Sequence, residues 1–200
     1  GEEAVDAAPD LLKQLVQTEW AWVVDPIDGT GQFKSGQKLF AIVIALLHHG
    51  KTVLAAIYQP ALDVLAIGDA QSGVWLNGQR VQPAPAQHSF ADTPAIFAFM
   101  NSEARHEEKM RAGHARTLKH YHAHADYLAL LRGDAGFAYF SEGLGRCPPW
   151  DHAAGIFLLT LAGGTAVTDR VSQQESYNPC LRHNRVAAAA NSSLLAAGLA

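Results

Sequence analysis

Acidic residues in three widely spaced segments, Glu2-Glu3, Asp25 with Asp28, and Asp151, are the side chains here whose type and spacing could do chemistry. A hard dication such as Mg²⁺ takes carboxylate and carbonyl oxygens and keeps several waters, so these residues and the Ile27 carbonyl are candidates to hold one. Asp25 and Asp28 stand three apart across Pro26. The proline fixes its own φ and removes an N–H, and on such a stiff segment two carboxylates and the Ile27 carbonyl can converge. Gly29 permits close backbone approach, and Gly29 and Thr30 can direct N–H groups at a phosphate if a helix begins there. The competing readings are an Asp-Pro, Asp-Gly surface turn, a helix N-cap at Asp151, and a solvated terminus at Glu2 and Glu3.

The elements that must position these groups are legible in outline. Trp20 to Val24 is a compact aromatic and β-branched run that delivers Asp25 at its C-terminal end, which predicts a buried strand. Leu39 to Leu47 and Lys51 to Tyr58 bracket His48-His49-Gly50-Lys51 as a hairpin, and Val64 to Ile67 and Gly73 to Leu76 continue a meander. Asn77-Gly78 is a type I′ turn signal before Gln79-Arg80-Val81. Pro9-Asp10 opens a short helix through Leu11, Leu12 and Leu15.

Residues 1–82 therefore read as an N-terminal lobe with an antiparallel sheet. Residues 83–94, rich in Pro and Ala, read as a linker, and 95–200 as a C-terminal α/β lobe, all forming one catalytic unit. In the second lobe, Ala95 to Met100, Phe137 to Phe140, Thr165 to Thr168 and Arg185 to Ala189 are strand-like. Ser102 to Gly113, Ala125 to Leu131, Asp151 to Leu161 and a segment from Ser192 are helical. Ala153, Ala154 and Gly155 allow close packing of the helix that starts at Asp151.

Composition narrows the partners. The 200 residues carry a net charge of -4, which gives no general attraction for nucleic acid or an anionic membrane. An enzyme for phosphate esters would then draw its positive potential from bound cations. Cys147 and Cys180 are too few for a disulfide framework, which fits a reducing cytoplasm, and no apolar run approaches the roughly 20 residues of a membrane span. The start on Gly1-Glu2-Glu3 is abrupt and predicts further residues upstream. His120-Tyr121-His122-Ala123-His124 would share one face as a strand and invites a metal reading, but a surface tract is the expectation. His152 is expected as a helix residue, and Trp150 as a core aromatic behind the acidic segment.

Taken together, Asp25-Pro26-Ile27-Asp28-Gly29-Thr30 resembles the first signature of the inositol monophosphatase family, within the lithium-sensitive, Mg²⁺-dependent phosphatase superfamily. Gly31-Gln32-Phe33 with Gly36 and Phe40 resembles its extension, although Gln32 and Lys34 differ from the commonest residues. Trp150-Asp151-His152-Ala153-Ala154-Gly155 with Ala162-Gly163-Gly164 resembles the second signature, and Gly1-Glu2-Glu3 the acidic motif upstream of the first. The three occur in family order, and the resemblance is weaker from Pro83 to Phe140.

The resemblance implies a layered α/β fold of the αβαβα type lacking the N-terminal helical pair, with a mostly parallel second sheet. It also implies two or three Mg²⁺ ions, one on Glu2, Asp25 and the Ile27 carbonyl and a second on Asp25, Asp28 and Asp151. Thr30 would orient and deprotonate the attacking water, the amides of Gly29 and Thr30 would hold the phosphate, and Glu3 would support the ligands from behind. Glu142 would bind a substrate hydroxyl, although the stretch from Glu142 to Trp150 is longer than the family spacer. The implied activity is hydrolysis of a small polyol or sugar monophosphate by metal-activated water. A bisphosphate or nucleotide substrate, or a non-catalytic metal- and phosphate-binding role, stays open. The implied partners are a small phosphate ester and, since relatives often dimerise, a second copy of the chain.

Overall fold

The chain is described from a computed structural model covering residues 1–200, of which 2–8, 10–82, 89–99, 117–118, 122–141, 147–168 and 175–199 are described. Expectations for Ser102 to Gly113, Glu142 and residues 83–88 of the linker fall outside these residues.

The period-2 runs of the first 80 residues form a six-stranded antiparallel meander: β1 (Trp20–Asp28), β2 (Ala41–His48), β3 (Lys51–Gln59), β4 (Val64–Asp69), β5 (Gly73–Leu76) and β6 (Gln79–Arg80). Its turns have the expected chemistry. His49 and Gly50 have φ of 47° and 71°, and Asn77 and Gly78 have 47° and 77°, so both residues of each two-residue turn lie in the left-handed region that a type I′ hairpin requires. Two short helices precede the sheet, α1 (Glu2–Ala7) and α2 (Leu11–Leu15), and α3 (Thr30–Lys34) follows β1.

After a 3₁₀ turn at Phe90–Asp92 the chain builds a second sheet from β7 (Ala95–Phe99), β8 (Thr117–Leu118), β9 (Phe137–Ser141), β10 (Thr165–Thr168), β11 (Glu175–Ser176) and β12 (Val186–Ala189). Its order is β11-β10-β12-β9-β7-β8. The expected parallel character holds only where β7 meets β8 and β9. The β9–β12, β12–β10 and β10–β11 pairs are antiparallel, because β12 returns the chain beside β9 from the opposite end. Phe137 to Phe140 and Val186 to Ala189 are buried at every position, as strands covered on both faces must be.

The cover comes from α4 (Ala123–Arg132) and α5 (Pro149–Leu161) on one face and α6 (Ser192–Gly198) on the other. Asn191 caps α6, its Oδ1 accepting the Leu194 N–H at 2.9 Å. Helix α5 touches β1 to β5 of the first sheet and β10 of the second, so it lies between them, and α4 packs beside it. One continuous core joins Val23, Val43 and Ile57 to Tyr127, Trp150, Leu158 and Ala188. The outward face of the first sheet carries exposed Trp20, Trp22, Ile42, Leu65, Ile67 and Trp75.

The seam between α4 and α5 depends on a missing side chain. A Cβ at Gly155 would stand 2.1 Å from Tyr127 Cδ2, so the Tyr127 ring lies directly on the glycine. The Tyr127 hydroxyl then reaches His152 Nδ1 on the same helix at 2.9 Å. His152 is thus a buried helix residue, as expected.

Candidate active site

A regular strand would send Asp25 and Asp28, three residues apart, to opposite faces. Here β1 runs through the whole acidic segment, and its pairing with β2 advances from Asp25↔Val43 to Asp28↔Ala41, three residues against two. The extra residue is a β-bulge, placed where Pro26 has no N–H to give the ladder. The bulge restores phase: Val23, Asp25 and Asp28 are all buried on the side of buried Val43 and Ala41. The Asp-Pro dipeptide that sequence reading takes as the end of a strand is the device that puts two carboxylates on one face.

Local hydrogen bonds fix the segment. The Ile27 N–H donates to Asp25 Oδ1 at 2.9 Å, and the Thr30 hydroxyl donates to the Ile27 carbonyl at 3.0 Å. Gly29, at φ 89°, turns the chain from β1 into α3, and a Cβ there would stand 3.0 Å from the Leu39 carbonyl oxygen and 3.4 Å from His122 Cδ2. Only glycine meets both demands without strain.

The other acidic positions arrive on neighbouring elements. Asp151 is in the first turn of α5, and an apolar groove lined by Val5, Leu12, Trp22, Val23, Pro149 and Trp150, but by none of Asp25, Asp28 and Asp151, lies where α1, α2, β1 and the start of α5 meet. Glu2 and Glu3 open α1, while their side chains, like Glu142, fall outside the described set. Trp150 is buried in the core with the Arg182 guanidinium 4.6 Å from its ring centre.

His122 and His124 were expected in a surface tract, and for His124 the structure corrects this. Ala123 begins α4, His122 is its N-cap residue, and His124 is fully buried with its Nδ1 2.8 Å from Asp28 Oδ2. The His124 backbone N–H donates to the same oxygen at 3.2 Å, and His122 Nδ1 is 3.8 Å from Asp28 Oδ1. Burial works to raise the Asp28 carboxyl. The hydrogen bonds from His124 and the electrostatics of both histidines outweigh it and hold the group below its ordinary value. The alternation of histidines was the visible signal, but the helix boundary that turns one ring inward was not.

Sequence reading also passed over Glu19, His48 and His49, whose ligand atoms lie within 4.8 Å of one another. This partly exposed trio sits at the other end of β1 from Asp25, with Trp20 stacked on His48 at 4.1 Å. It is separate from the acidic face.

Buried Asp25 and Asp28 with the Ile27 carbonyl offer oxygen donors, which suit Mg²⁺ better than a softer metal, but among the described residues the three side chains whose ligand atoms gather within 4.8 Å are Glu19, His48 and His49, not Asp25, Asp28 and Asp151. Among the described residues no helix is long and apolar enough to cross a membrane.

Known proteins resemble the chain both in sequence and in fold. It is 31% identical over 151 residues to the fructose-1,6-bisphosphatase/inositol-1-monophosphatase of Thermotoga maritima, covering 74% of this chain and 56% of that protein. It is 34% identical over 175 residues to a 3'(2'),5'-bisphosphate nucleotidase of Oryza sativa, covering 74% and 48%. It is 32% identical over 177 residues to the Nus factor SuhB of Vibrio cholerae, covering 84% and 63%. The chain thus spans about half of the length of the curated relatives it matches. An inositol monophosphatase from Zymomonas mobilis has the same fold, with a TM-score of 0.79 at 24% identity over 99% of this chain and 79% of that one. The family model for the inositol monophosphatases matches residues 1–200, and the chain belongs to that family.

Proposed function

We propose that the protein is a Mg²⁺-dependent phosphomonoesterase acting on a small polyol or sugar monophosphate. The observation that carries this reading is the bulge in β1, which sets Asp25 and Asp28 on one buried face. Asp25, Asp28, Asp151, Glu2 and the Ile27 carbonyl would hold the Mg²⁺ ions, with Glu3 behind them. When bound, Mg²⁺ lowers the pKa of a coordinated water and neutralises charge on the transferring phosphoryl group.

The chain's own residues have distinct parts in this proposal. Thr30 directs its hydroxyl proton to the Ile27 carbonyl, which leaves the Oγ1 lone pairs to accept a hydrogen bond from the attacking water and orient it. The amides of Gly29 and Thr30 at the start of α3 orient the phosphate in line. The stretch from Glu142 to Trp150, longer than the family spacer, makes the substrate-hydroxyl contact the part most open to change. The chain's net charge fits a small-molecule partner rather than nucleic acid.

The assay is release of inorganic phosphate from inositol 1-phosphate by the intact protein with and without Mg²⁺. Metal-dependent turnover is expected. Calorimetry that detects Mg²⁺ or phosphate binding while no ester is turned over would favour a binding role instead. The names of the Thermotoga maritima and Oryza sativa relatives favour a second reading, a bisphosphate substrate. A panel containing fructose 1,6-bisphosphate and adenosine 3',5'-bisphosphate separates the two by kcat/KM.

A further inference from the structure

We infer that His124 is a positioning residue for Asp28, an inference that rests on the metal-site reading above. Asp28 holds the start of α4 from 96 residues away in sequence. The first N–H groups of a helix have no partner within it, and His122, the N-cap residue, gives α4 no side-chain cap. Asp28 Oδ2 fills that role by accepting the His124 backbone N–H at 3.2 Å, and it accepts the His124 ring at 2.8 Å as well. Two donors from one residue on one oxygen fix the rotation of the carboxylate about its Cβ–Cγ bond. Oδ1 is spared those bonds, with His122 Nδ1 3.8 Å away.

The tautomer follows from the partner. An ionised carboxylate only accepts, so His124 Nδ1 carries the proton. Its Nε2 is buried with no hydrogen-bond partner among the described residues. Packing alone would be served by an apolar side chain without leaving a buried ring nitrogen unsatisfied, which costs free energy. The compensating gain is at Nδ1. A carboxylate aimed in advance does not have to be ordered when the cation arrives, and partners that orient a ligand in this way commonly change metal affinity by about 10–100-fold.

The test uses His124→Leu, which keeps bulk and removes the ring donor, and His124→Asn, whose side-chain amide can replace Nδ1–H. Mg²⁺ affinity is measured by calorimetry, and the Tm of the metal-free protein and the kcat and KM of the loaded enzyme are followed beside it. Leu should weaken Mg²⁺ binding about 10-fold or more, whereas Asn should stay within about 3-fold of wild type. The kinetic loss should appear at limiting Mg²⁺ and shrink at saturation, with little change in KM. Wild-type Mg²⁺ affinity in a folded Leu variant overturns the inference, as does an equal loss in Leu and Asn. If Leu does not fold, a loss of more than about 10-fold in Asn overturns it. Asp28→Asn separates the two ideas: if Asp28→Asn binds Mg²⁺ like wild type, the metal-site reading itself fails. If Asp28→Asn loses Mg²⁺ and the His124 variants do not, only the positioning role fails.

Discussion

Asp25 shows how much a single position carries in this protein. Its carboxylate accepts the Ile27 N–H, so it both holds the bulge and presents charge on the buried face. Asp25→Asn keeps the size and removes the charge, and it should reduce Mg²⁺-dependent turnover by more than about 100-fold, measured as phosphate release. Thr30→Ala removes the oriented hydroxyl and should lower kcat by about 100-fold while leaving Mg²⁺ affinity within a few-fold, a split that steady-state kinetics with calorimetry resolves. The types of these residues were legible in the sequence, but their directions were not. Asp25 and Asp28 at a spacing of three point apart on a regular strand, and only the pairing with β2 reveals that the bulge reunites them. His124 was hidden for a similar reason: whether alternate histidines share a face depends on a helix boundary at Ala123 that the run itself does not mark.

Among the elements, the seam between α4 and α5 is set by Gly155. Gly155→Ala forces the Tyr127 ring away from a Cβ it would otherwise meet at 2.1 Å, and it disturbs the Tyr127–His152 bond. Overpacking of this kind costs about 1–3 kcal/mol, which should appear as a Tm loss of roughly 2–12 °C in thermal unfolding. The strands of the first sheet were readable because each alternates faces and each hairpin carries its own turn residues, as at Asn77-Gly78. The second sheet was less so. Four of its strands were located and the two-residue strands β8 and β11 were not, and since Phe137 to Phe140 and Val186 to Ala189 are apolar on both faces, their pattern does not say whether a neighbour runs parallel or antiparallel.

For the whole molecule, burial sets an alkaline limit on stability. Tyr127 and Tyr177 have hydroxyls held well above their ordinary pKa, first by burial and then by neighbouring groups that ionise negative. A folded-state pKa above the unfolded value of about 10 gives stability that is complete below that pH and is lost as pH rises beyond it. Denaturant midpoints should therefore fall between about pH 9 and 11, and Tyr177→Phe should flatten that decline with little effect at pH 7. The exposed face of the first sheet makes a separate prediction. Leu65→Thr and Ile67→Thr together should reduce binding of a hydrophobic dye to the 200-residue chain without lowering its Tm. The central claim is that motifs far apart in sequence, on α1, β1 and α5, converge on one cation site. Anomalous scattering from crystals grown with Mn²⁺ tests it most directly. The account predicts a peak within carboxylate bonding distance of Asp25, Asp28 and Asp151, and crystals with Mn²⁺ bound only at Glu19, His48 and His49 would contradict it.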